Sequence, residues 1–383
     1  MIRRFIIAAI VALAVSTAST ATEAVLYVNT DNGGSVDGLT HATGYTSLAA
    51  LFTAETDTLT QDMVIECAGT TADTAAVTGQ MDTGGFTLTI RGDRNEADGF
   101  YDGPLEYSTS HYRNEQTSAT SNIAINQNNV VVDGIQVLVR NSNFSRGIIV
   151  TPVSNSTSYA VRNNRIKGPA TATSTRGIYI SINKNSSTFV VQNNIVTKFD
   201  RANSSGIYVE WASFFNSDAW ITGNTVFLAT IGIQTDDIND NSSTSNGTIK
   251  NNAVANCTTD YSEDPTGAFT ITSTHNASDD AFGTSAQDIS PGGTESDDWA
   301  DAWTDPNAAE NSRDFNVVAS GVLDGNGTTG TGILTTDILG NARDGSTPSI
   351  GAFEVVGGGG GGAVPPPGLL TGNGLNAGGL RKR

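Results

Sequence analysis

Several things are scarce in this chain of 383 residues. Charged side chains make up only 15%, and the deficit falls on the basic ones: 20 Lys and Arg against 39 Asp and Glu, a formal net charge of −19. Nucleic-acid binding rests on cations that neutralise phosphates, so DNA and RNA are excluded as natural partners. Cys67 and Cys257 are the only cysteines, too few for a disulfide framework. The repeat described below sets them several coils apart, which predicts two unpaired, buried thiols. Three His, at 41, 111 and 275, assemble neither a zinc cluster nor a serine triad. The Ala, Glu, Lys and Leu enrichment of a helix bundle is missing, and no apolar run reaches the ~20 residues of a membrane span. What is abundant is Gly, 42 residues of it, together with Asn, Ser and Thr. Val, Ile and aromatics recur between them in short runs, which excludes disorder.

The two ends differ from the body. Arg3 and Arg4, an apolar run over 5–15 and small residues over 16–24 read as a secretory signal peptide, removed near Ala21 or Ala24. This places the mature protein outside the cell or at its surface. Near the other end, residues 357–362 are all Gly and 365–367 all Pro, so 357–368 is a linker. Residues 369–383 form a flexible tail ending in Arg381-Lys382-Arg383, a candidate for attachment to a partner surface.

The body repeats. Val161-Arg162-Asn163-Asn164-Arg165-Ile166 returns as Val191-Gln192-Asn193-Asn194-Ile195-Val196, as Ile221-Thr222-Gly223-Asn224-Thr225-Val226 and as Ile249-Lys250-Asn251-Asn252-Ala253-Val254, at steps of 30, 30 and 28 residues. A second motif, Gly147-Ile148-Ile149-Val150, returns at Gly177, Gly206 and Gly232 with steps of 30, 29 and 26. Each period holds two or three short β-like runs and none suited to a helix. A solenoid of stacked strands follows, with backbone bonds along its axis at ~4.8 Å. Val161, Val191, Ile221 and Ile249 form one inward column, and Ile166, Val196, Val226 and Val254 another. Asn164, Asn194, Asn224 and Asn252 stack at a corner, where Asn tolerates left-handed geometry and amides can bond coil to coil.

With these motifs the chain resembles, over 25–356, the secreted right-handed parallel β-helix proteins of the pectate-lyase-like superfamily. Leu26-Tyr27-Val28 through Asp37-Gly38 and Ala42 to Leu48 are similar to their N-terminal entry. There a short helix, here 48–53, caps the first coil ahead of the strand at Met63-Val64-Ile65. The clear coils span 129–257. The segment 314–356, with Asp337-Ile338-Leu339-Gly340-Asn341-Ala342-Arg343 and Ser349-Ile350-Gly351-Ala352-Phe353-Glu354, is similar to their closing segment. Between them, 279–310 holds nine acidic residues and no basic ones, with Trp299 and Trp303. It reads as a solvated irregular loop, with Ca²⁺ as the alternative. The resemblance implies an all-β fold and leaves function open, because lyases, glycosidases, adhesins and tailspikes share it.

Strand alternation maps the outer surface. With Ile148, Ile178, Ile207 and Ile233 inward, Tyr179 and Tyr208 are outward neighbours and read as a platform for a sugar ring. Glu210 and Asp236 are neighbours one coil apart, with Trp211 and Asp237 beside them. Two carboxylates at ~5 Å suit a retaining glycosidase; Asp236 and Asp237 also suit Ca²⁺; two solvated, splayed carboxylates are the plain alternative. Arg146 and Arg176 should stack, a basic row fit to hold uronate carboxylates. Lys198 is related to Lys167 with a one-residue slip. In a lyase, Arg176 or Lys198 would take the proton beside the substrate carboxylate. The polygalacturonase pattern is absent: Asp236-Asp237 and Arg165-Ile166-Lys167 stand in the wrong order, with no Gly-His-Gly. Two readings stay open: a secreted protein that binds an extracellular polysaccharide and cleaves it as a lyase, or a non-catalytic adhesin or virion appendage.

Overall fold

The computed structural model describes residues 24–32, 38–79, 81–92, 111–116, 121–139, 144–211, 216–237, 245–264, 270–279, 282–289, 299–309, 312–330 and 332–355. The leader up to residue 23, the linker and the tail lie outside the described residues. Ala24 already belongs to the first strand, paired with Met63 and donating its N–H to the Asp62 carbonyl.

The strands form three parallel sheets of nine, eight and seven strands, entered in turn from Leu88–Gly92 to Ala277–Ser278. Sheet A includes Val130–Asp133, Ser158–Arg162, Thr188–Gln192, Asp218–Thr222 and Asn246–Lys250. Sheet B includes Gln136–Val139, Arg165–Lys167, Ile195–Phe199, Thr225–Ala229 and Ala253–Ala255. Sheet C includes Arg146–Val150, Arg176–Ile182, Ser205–Trp211, Ile231–Asp237 and Thr259–Asp264. The chain is thus a parallel β-helix. Its interior holds the expected columns, with Val161, Val191, Ile221 and Ile249 each 1% exposed. Burial of each such side chain stabilises by ~1.5–3 kcal/mol relative to exposure.

The A–B corner divides its labour between two residues. Asn163, Asn193, Gly223 and Asn251 take the left-handed conformation, with φ of 56°, 52°, 65° and 54°. The next residue, Asn164, Asn194, Asn224 or Asn252, is buried. Its amide donates to the following Asn Oδ1 at 2.9–3.1 Å, and the series continues to Asn276. Each buried amide also donates to a carbonyl of the preceding coil, as Asn194 does to Val161 at 2.9 Å. The strained backbone and the polar ladder therefore use different members of each Asn pair.

Both ends are closed locally. Leu48–Ala54 forms helix α1, capped by Ser47 and burying Leu48, Leu51 and Phe52. On the last coil Glu263 and Ser273 occupy positions aligned with Val209 and Ile249, and Ser273 Oγ donates to Glu263 Oε1 at 2.8 Å. Polar groups at core positions end the stack. Cys67 is buried, Cys257 partly so, and no disulfide joins them.

The outer face of sheet B carries a second core. Ile195, Phe227, Ala253, Ala255 and Ala277 are covered by Trp299, Trp303, Phe315, Leu323, Ile338, Ile350 and Phe353. The Phe227 ring meets Trp299, Phe315 and Trp303 at 5.2, 5.4 and 6.1 Å. The two tryptophans expected in an acidic loop are thus the centre of a lateral cover. Arg343 fastens it, donating to Ser349 O at 3.0 Å and Asn193 Oδ1 at 3.0 Å and pairing with Glu354 at 3.4 Å. Gly223 leaves room there: a Cβ would stand 2.8 Å from Asn193 Oδ1, the atom that accepts from Arg343. No helix among the described residues is long and apolar enough to cross a membrane.

Candidate functional site

The outer face of sheet C is shaped by one irregularity repeated on each coil. The register passes from Arg176↔Ser205 to Ile178↔Ile207 and skips the glycine between. A Cβ at Gly177 would stand 2.6 Å from Val196 Cγ1, inside the solenoid. Gly177 and Ile178 therefore both face inward, and Arg176 and Tyr179 emerge on the same outer surface. The motif Arg-Gly-Ile-Tyr needs its glycine for this reason.

On that surface Arg146 and Arg176 share a register position. The Tyr179 and Tyr208 rings stack at 5.4 Å with 13° between planes. Arg146 lies 4.7 Å over Tyr179, and Arg176 lies 4.9 Å from Tyr179 and 4.1 Å from Tyr208. The two phenols reach forward along the axis: Tyr179 OH donates to Glu210 Oε1 at 3.0 Å, and Tyr208 OH to Asp236 Oδ2 at 2.9 Å. Burial, before any other cause, raises both phenol pKa values, and for Tyr208 the bond to Asp236 adds to it. Burial also lowers the Arg146 pKa, with the neighbouring Arg176 charge second.

The arrangement brings together Arg146, Arg176, Tyr179, Tyr208, Glu210 and Asp236. It corrects the reading of the tyrosines as a sugar platform. They are 8% and 3% exposed, with ring faces covered by each other and by guanidinium groups. Trp211 is also corrected: it is 1% exposed and belongs to the interior core. Counting alternately from Ile207 places it inward, a signal present in the sequence. Lys198 stands in strand Ile195–Phe199 of sheet B, in a left-handed bulge at φ 62° aligned with Leu228 at φ 60°, and not on this face. Asp237 pairs in register with Trp211, and its side chain lies outside the described ones.

The donor set is thin for Ca²⁺, which takes six to eight oxygens. Among the described residues no three His, Cys, Asp or Glu side chains converge. Glu210 and Asp236 each already accept from a tyrosine. Sequence reading missed two cross-coil ion pairs on sheet A, Arg91 with Glu66 and Arg162 with Asp133, although both alternate in sign at the coil period.

Fold and face together define a parallel β-helix with one covered flank and one charged, half-exposed flank. No family model matches the chain, and no curated protein matches it. Among solved structures, pectate lyase Pel9A is similar with a TM-score of 0.34 and 13% identity, covering 87% of this chain and 96% of that one.

Proposed function

We propose that the protein binds an acidic extracellular polysaccharide on the outer face of sheet C, with Arg146 and Arg176 holding its anionic groups. One observation carries this reading. Two guanidinium groups stand side by side on a chain of net charge −19, and neither has a hydrogen bond or ion pair among the described residues. Their Nε atoms are buried without a partner. Like charges half-removed from water are unfavourable, and a carboxylate or sulfate fork relieves both costs. The exported location belongs to the same proposal and rests on residues 1–24.

Cleavage by elimination is the finer part of the reading. A guanidinium can take a proton only in its neutral form, and burial, then the Arg176 charge, lowers the Arg146 pKa. One observation favours the non-catalytic alternative, an adhesin or appendage: both carboxylates are held by tyrosines, which suits a rigid binding surface better than proton transfer.

Calorimetric titration of polygalacturonate and alginate, against a neutral glucan, tests binding. Parallel recording of unsaturated-uronate absorbance tests elimination. Binding of the polyanions alone, lost in Arg146→Ala/Arg176→Ala, is expected. Equal binding of the neutral glucan, or none of any polymer, would refute the proposal.

A further inference from the structure

The charged face contains the same three-residue unit twice. Arg146 covers Tyr179, which bonds Glu210; Arg176 covers Tyr208, which bonds Asp236. Each unit takes one residue from each of three successive coils, and the second unit is the first moved by one coil, ~4.8 Å. The series stops after two. In the next set Ser205 replaces the arginine and Gln234 the tyrosine, and Ser205 Oγ donates to Gln234 Oε1 at 2.7 Å. In the set before, Ser121 and Ile149 stand in those places.

We infer that this face is a pair of similar half-sites that reads the spacing of charge along a linear polyanion lying parallel to the solenoid axis, one acidic group per coil. The inference rests on the binding proposed above. Two guanidiniums one coil apart accept two anionic groups at the same separation, about the advance of one pyranose residue. A polymer with an acid on every residue satisfies both at once. One with an acid on alternate residues satisfies one and leaves the other guanidinium unpaired. Doubly engaged binding gains by effective concentration, because the second contact is intramolecular. The tyrosines are positioning residues: the Tyr179 ring meets both guanidiniums and the Tyr208 ring meets that of Arg176, and each hydroxyl holds one carboxylate, so that the acids do not neutralise the arginines in place of the ligand.

The test compares the full chain on polygalacturonate, with an acid on every residue, and on hyaluronan, with an acid on every second residue. Titration calorimetry at one ionic strength, per acidic group, is the readout. At least tenfold tighter binding of polygalacturonate is expected, with Arg146→Ala and Arg176→Ala each reducing that preference severalfold. Arg146→Lys and Arg176→Lys, which keep charge and fold but lose the fork, should reduce it as well. Equal affinity for the two polymers, abolished in the double alanine variant, would overturn the spacing rule and leave polyanion binding intact. A preference unaffected by one of the two arginines would reduce the pair to a single site. No binding of either polymer would overturn both proposals.

Discussion

Sheets B and C present the same backbone to the outside, yet one is covered and the other is open. On sheet B the outward positions change along the axis from Arg165 and Lys167, themselves buried, to Ile195 and Phe227, and the segment 299–355 packs over the apolar stretch. On sheet C the outward positions are Arg, Tyr and carboxylate: the tyrosines are buried and bond the carboxylates, while the arginines and carboxylates stay partly exposed. On this solenoid the apolar outward column is the one that a later segment buries. The Arg343 and Arg176 environments condense the difference. Arg343 is buried with two carbonyls, Asn193 and Glu354 as partners. Among the described residues the Arg176 guanidinium lies against aromatic rings alone.

The largest effect should come from breaking the covered side. Phe227→Ala removes a ring in contact with three aromatics and should cost about 3–5 kcal/mol in thermal or denaturant unfolding. Binding on sheet C should survive below the new melting temperature. Joint loss of binding and stability at 25 °C would show that the two faces are not independent.

Next comes the arginine pair. Arg343→Ala leaves Glu354 buried without its cation and should destabilise by about 3 kcal/mol. Protease cleavage should then appear first within 299–355. Arg176→Ala breaks no ion pair and relieves repulsion with Arg146, so stability should move by less than about 1 kcal/mol. Equal destabilisation by the two variants would erase the distinction between the faces.

The smallest effect is the response to acid. Burial raises the pKa values of Asp314, Asp337 and Glu354 in the cover and of Asp73 near the N-terminal cap. Such groups bind protons more readily folded than unfolded, so their contribution falls as pH rises through the raised values and is regained at acid pH. Asp31, held to about 2 by Thr71 and Thr70, and Asp344, held to about 2 first by the Thr347 N–H, act the other way. Their contribution is present above ~4 and is lost as pH falls towards 2. The melting temperature at pH 4 should thus be no lower than at pH 7, with a decline only below it. A steady fall from pH 7 to 4 would contradict these assignments.

Much of the solenoid was legible because a one-dimensional stack repeats its signals. Ile178 and Ile207, Asn194 and Asn224, and Arg146 and Arg176 reveal their alignment by spacing alone. The cover was not legible, because Trp299, Phe315 and Phe353 belong to no period and their partners lie on coils far back in sequence. The charged face was half legible. Its residues and neighbours followed from alternation, but whether Tyr179 shows its face or its edge is decided by where Arg146 and Arg176 lay their guanidiniums. No spacing encodes that choice.

The cover also sets how the molecule would carry load. Val355 packs on the flank, beside Gly351 and Ala352, which bond Asn251 and Thr225 of inner coils. Tension applied through residues following 355 therefore enters sideways, across the stack, through Arg343 and the Asn193 corner. It does not peel the final coil. The bonds between coils, which run along the axis, would be loaded at many points together.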